Sequence, residues 1–130
     1  MKLSTFILLP AMLLSAVPAS AAGDDLLGKW VQKEQGYFLE ADIRRGSAKP
    51  EFLVADVTVV LPRQCVGNVT VYGKPDGSTL VGESYDPKQP EAPVCRLRMS
   101  RTGDRLTIEE LGSCSYWHGA GCDFSGEVAR

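Results

Sequence analysis

From residue 23 onward, glycine and proline interrupt the chain so often that no window keeps a helical period over ten or more residues. The pieces between the breaks are short, rich in β-branched residues and alternating in polarity. That pattern belongs to an antiparallel sandwich or barrel. In 37–44, Tyr37, Leu39, Ala41 and Ile43 share one face while Glu40 and Asp42 take the other. In 52–61, Ala55, Val57, Val59 and Leu61 oppose Asp56 and Thr58. Further strands are expected at 29–33, 68–73, 79–85 and 94–101, after the turn at Gly103-Asp104, and at 123–129. Pro87, Pro90 and Pro93 make 86–93 a loop or an extended edge. Eight strands joined mostly by short turns close readily into a barrel, with the last strand beside the first. The expected fold is therefore an all-β, eight-stranded antiparallel barrel or a closely related sandwich.

The hairpin after residue 93 can be read to the register. Cys95, Leu97 and Met99 fall on one face, and Gly103-Asp104 suits a two-residue type II′ turn. Met99 then opposes Ile108, and Arg98 opposes Glu109. The same register turns Glu110 inward beside Leu97, and a β-bulge is the expected relief; the other reading is that Glu110 lines a cavity.

The first residues read as a leader. Met1-Lys2 gives a positive start, 3–17 is mostly apolar, and small residues run to Ala22. The apolar run is shorter than a membrane span and is broken by Pro10. The expectation is a signal peptide over 1–22, cleaved after Ala21 or Ala22, and a single β-barrel domain over 23–130. A periplasmic or secreted bacterial location follows. Without Lys2 the chain carries thirteen basic against sixteen acidic residues, a formal charge of −3. A mildly acidic domain is a poor partner for nucleic acid or an anionic membrane.

All four cysteines, Cys65, Cys95, Cys114 and Cys122, lie beyond the leader. An even count in an exported chain implies two disulfides, with three possible connectivities. The preferred pairing is Cys65–Cys95 with Cys114–Cys122, worth about 3.5 and 2.5 kcal/mol of loop entropy. No Cys-x-x-Cys spacing is present and there is one histidine, so no metal and no cofactor are expected.

A catalytic constellation is hard to assemble. His118 lies near Ser113, Ser115, Ser125 and Asp123, but no Gly-x-Ser-x-Gly elbow accompanies them. Glu109 and Glu110 are adjacent in a strand and so point to opposite faces. The chain is expected not to be an enzyme. The segment Cys114 to Cys122 draws attention instead, because it holds Tyr116, Trp117 and His118 between two cysteines. One reading is structural, with Trp117 capping a barrel end. The other is a presented loop in which Tyr116, Trp117 and His118 contact a partner, with His118 at the tip.

Gly28-Lys29-Trp30 resembles the Gly-x-Trp opening of lipocalins and avidins, which are ligand-binding barrels. The cysteine-bracketed loop with one histidine is similar to the inhibitory loop of the inhibitor-of-vertebrate-lysozyme family. There a Cys-Lys-Pro-His-Asp-Cys loop places its histidine in the lysozyme active site, which would make His118 the inserted residue. The segment here is longer and lacks the Lys-Pro pair. These resemblances imply a non-enzymatic exported binding protein, in its most concrete form an inhibitor of a lysozyme-like cell-wall hydrolase. The alternatives are a barrel for a small hydrophobic ligand, lined by Trp30, Tyr37 or Phe38, Leu97, Met99 and Glu110, or a structural envelope protein.

Overall fold

A computed structural model describes residue 10, residues 21–34 and residues 36–130. The leader expected over 1–22 lies outside the described residues, apart from Pro10, Ala21 and Ala22. A 3-10 turn, Asp24–Leu26, leads into nine strands: β1 Gly28–Glu34, β2 Tyr37–Arg45, β3 Leu53–Leu61, β4 Cys65–Gly73, β5 Pro75–Asp76, β6 Thr79–Ser84, β7 Arg96–Thr102, β8 Arg105–Glu110 and β9 Gly126–Ala129. One helical turn, α1 Ser115–His118, interrupts the series between β8 and β9. Neighbours in sequence pair antiparallel except β4 and β5, β4 pairs β6 instead, and Val31 of β1 pairs Ala129 of β9. The sheet therefore closes into an eight-stranded antiparallel barrel, with two-residue β5 a small extension on β6.

The alternation in the sequence decides what faces inward. Leu39, Ala41 and Ile43 of β2, Ala55, Val57 and Val59 of β3, and Val69 and Val71 of β4 are buried. Arg98 opposes Glu109 and Met99 opposes Ile108, the register set by the two-residue turn with Gly103 at φ +63. Two strands start three residues away from expectation, and the two-residue β5 falls inside the expected turn at 74–78. β4 begins at Cys65 rather than residue 68, and β9 begins at Gly126 rather than 123. Both changes occur where α1 crosses the barrel mouth.

Eight strands enclose a space that side chains can fill. Here they fill it: Trp30, Leu97 and Met99 are fully buried with Leu39, Leu80, Leu106 and Phe124. One end is closed by the 3-10 turn. Leu26 is buried there and its carbonyl accepts a hydrogen bond from Trp30 Nε1 at 2.9 Å. The Arg130 guanidinium lies 4.3 Å from the Trp30 ring centre and donates to the Leu27 carbonyl. Arg101 donates to the Asp25 carbonyl at 2.7 Å.

The same turn is tied to β2 by an ion pair between Asp24 and Arg45. The hydrogen bond from Arg45, with its charge, holds the Asp24 carboxyl below its usual range. A carboxyl held low in the folded state stabilises at neutral pH, and that contribution is lost as pH falls through the folded-state value. Asp24→Asn is therefore expected to be less stable than the parent at pH 7. In acid titrations by circular dichroism the two curves should begin to converge only below about pH 4 and meet below the lowered folded-state value.

Candidate partner-binding site

The second barrel mouth carries the segment singled out in the sequence. α1 is preceded by Cys114, whose carbonyl accepts from Trp117 N–H at 2.8 Å, and it stops at Gly119 with φ +77. Glycine supplies that conformation without a Cβ clash. A four-residue turn sends its side chains in different directions. Tyr116 is exposed, Trp117 is half-buried and His118 is buried.

The cysteines correct the expected pairing. Cys65 joins Cys122 and Cys95 joins Cys114, with Cα–Cα distances of 6.2 and 4.8 Å. The two cysteines that bracket the segment are not bonded to each other. The helical turn lays the two ends of the segment over different strands. Cys114 sits over Cys95, which β6 holds in place through Ser84: Cys95 N–H donates to Ser84 Oγ and Ser84 N–H to the Cys95 carbonyl. Cys122 reaches Cys65 at the start of β4. The segment is thus fastened at both ends to the barrel wall instead of closing on itself.

His118, expected at an exposed tip, is the plug of the mouth. Its side chain is 6% exposed, edge-on to Phe124 at 5.0 Å, and its Cβ lies against Gly67 of β4. Nδ1 faces the Gly119 carbonyl, and Nε2 lies 2.8 Å from Glu110 Oε1 without the alignment of a hydrogen bond. This answers the question raised by Glu110. No bulge is present: Glu110 pairs with Leu97 in an unbroken ladder and points inward. Its carboxylate is occupied by His118 and by the Phe124 N–H at 2.9 Å. A partly buried carboxyl group is tolerated when partners of this kind surround it.

Trp117 is half-buried and packs against the hydrophobic core at this end of the barrel. It turns toward the connection between β6 and β7, donating from Nε1 to the Pro93 carbonyl at 3.0 Å. Tyr116 hydrogen-bonds Gln89 in the same connection and meets the Trp117 ring edge-on. The serines stay apart from the histidine: Ser113 and Ser115 hydrogen-bond each other, and Ser125 accepts from Glu110 N–H. Asp123 accepts from Ser125 N–H, not from the imidazole.

Around this segment the outer surface changes character. The large apolar residues exposed among the described residues are Val66 and Tyr72 of β4, Tyr85 and Val94 of the β6–β7 connection, and Tyr116 of α1. Tyr72, Tyr85 and Trp117 line one open cleft of about 300 Å³ with Asn68, Thr70 and Asp86. The sequence reading missed Tyr72, Tyr85 and Asp86. Tyr72 was visible as an outward position of β4, in phase with Asn68 and Thr70, but its neighbours come from remote stretches.

Fold and site together define a closed, filled antiparallel barrel with a doubly cross-linked helical plug and an aromatic outer face. Comparison of the chain with family models, with curated proteins and with solved structures finds no match. Two disulfides fit an oxidising compartment outside the cytoplasm, and no helix among the described residues is long and apolar enough to cross a membrane.

Proposed function

We propose that this is an exported, non-enzymatic protein that binds a macromolecular partner through the face around the Cys114–Cys122 segment. Its most concrete form is an inhibitor of a lysozyme-like cell-wall hydrolase. The observation that carries this reading is the shared cleft of Tyr72, Tyr85 and Trp117, with exposed Tyr116 edge-on to Trp117 beside it. Exposed apolar surface concentrated in this way marks an interaction site. Tyrosine and tryptophan are the side chains that anchor interfaces. The cross-links reduce the ordering entropy lost on binding. In this reading Tyr116 and Trp117 make contact, and His118 holds them from beneath.

The small-ligand alternative is less well supported. Trp30, Leu97 and Met99, which would have lined a cavity, pack against one another in the core. Phe38 faces outward beneath Lys33, and Glu110 is engaged by His118.

The test is a panel of lysozyme-like hydrolases acting on a peptidoglycan suspension, with and without the protein. Lysis by at least one enzyme should slow, and Tyr116→Ala should weaken that effect about tenfold, a loss of about 1.4 kcal/mol typical of an interface anchor. Tyr116 is exposed, so the fold tolerates the change. Unchanged lysis across the panel rules out the hydrolase target. Undiminished potency of Tyr116→Ala removes this residue from the contact.

A further inference from the structure

The cleft between β4, α1 and the β6–β7 connection has a chemistry of its own. Elsewhere among the described residues, three aromatic rings are met by cations of the same chain. Lys33 lies over Phe38, Lys49 and Lys74 over Phe52, and Arg101 and Arg130 over Trp30. Tyr72, Tyr85 and Trp117 share a cleft and have no such cation among the described residues.

The polar groups of the cleft add acceptors. Asn68 spends its amide hydrogens on the Val57 carbonyl and Thr58 Oγ1, which leaves its Oδ1 free to accept. Thr70 donates its hydroxyl to Asp56, leaving oxygen lone pairs. Asp86 takes one backbone N–H, from Lys88 at 2.9 Å, and has no ion-pair partner among the described residues. The neighbouring acids are already answered: Asp56 by Arg44 at 2.6 Å, and Glu83 by Arg96 at 3.1 Å. No lysine or arginine among the described residues lines the cleft.

From this we infer that the cleft receives an arginine side chain presented by a protein partner. A guanidinium is a planar cation that stacks on tyrosine and tryptophan faces and carries five donors. Three aromatic rings, one carboxylate and two further acceptor oxygens match that set. Hydrogen bonds from a guanidinium to a carboxylate are among the stronger ones a surface can offer. The inference rests on the reading of this face as a protein-binding surface and names what it grips. It is also consistent with an acidic protein meeting a basic enzyme.

The test uses the whole protein, labelled with ¹⁵N and with ¹³C in its aromatic rings, titrated with N-acetylarginine amide. The neutral isostere N-acetylcitrulline amide serves as the control. Saturable shifts are expected in the rings of Tyr72, Tyr85 and Trp117, with affinity at least tenfold lower for the citrulline compound. Asp86→Asn, which keeps the hydrogen bond to the Lys88 N–H, should weaken arginine binding at least fivefold, and Tyr85→Ala should do the same. An equal response to citrulline, or no response from these rings at the solubility limit of the arginine compound, overturns the inference. Hydrolase inhibition that persists without arginine binding removes the inference and leaves the inhibitor reading intact. Arginine binding by a protein that inhibits no hydrolase supports the inference and removes that target.

Discussion

A chain in which Cys114 and Cys122 are both alanine should fail to fold stably. If the two cysteines bridged each other, the double change would remove one short loop, worth about 2.5 kcal/mol. Each is instead bonded to a different part of the barrel, at sequence separations of 19 and 57. Losing both cross-links removes about 3 and about 4 kcal/mol of loop entropy from the balance. Together that is comparable with the whole stability of a small domain, on the order of 5–15 kcal/mol. Cys65→Ala with Cys122→Ala is the milder comparison. It breaks one bridge, should cost about 4 kcal/mol, and should leave a folded barrel with a melting temperature lower by roughly 15–20 °C. Thermal melts followed by circular dichroism check both. A Cys114/Cys122 variant as stable as the Cys65/Cys122 variant would be inconsistent with the observed pairing.

The second large effect is expected at Gly67. A Cβ there would lie 2.4 Å from the His118 Cβ and 2.8 Å from its Cα. These atoms cannot swing aside as the end of a flexible side chain can. The whole of α1 would have to lift, and its ends are held by Cys95 and Cys65. Overpacking a core typically costs about 1–3 kcal/mol, and a neighbour held at both ends places Gly67→Ala near the top of that range. A fall of roughly 10–15 °C in melting temperature is expected. The companion change Gly103→Ala meets no atom within 4 Å, so its cost comes only from the positive φ of the turn. A Gly67→Ala protein that melts with the parent would show that His118 is not packed against β4.

The strands were legible because alternation is a local signal. Leu39, Ala41 and Ile43 face inward in the structure, as the period of two requires. The β7–β8 register was legible because a two-residue turn leaves one pairing. The disulfides were not, and the reason is α1. Four residues are too few to announce a helix by periodicity, yet one turn is enough to carry Cys114 and Cys122 to different strands. Proximity in sequence then misleads about proximity in space.

The candidate site was legible in part for the same reason. Tyr116 and Trp117 stand out by composition, but their fates differ from that of His118 only once the turn is drawn. Two odd residues were in view, an inward glutamate and a lone histidine, and nothing local said that they meet. Gly67 was the available clue. A glycine at an inward position of a strand marks a close approach by another part of the chain, and here that part is His118. Tyr72, Tyr85 and Asp86 line one cleft only because β4 closes onto β6.

The central claim is that the Tyr-Trp-His turn is clamped across the barrel mouth by bonds to two separate strand ends. Non-reducing peptide mapping after combined trypsin and chymotrypsin cleavage tests it most directly, since cleavage at Tyr116 or Trp117 separates Cys114 from Cys122. The account predicts one linked pair containing Cys65 and Cys122 and another containing Cys95 and Cys114. A linked pair containing Cys114 and Cys122 would contradict it.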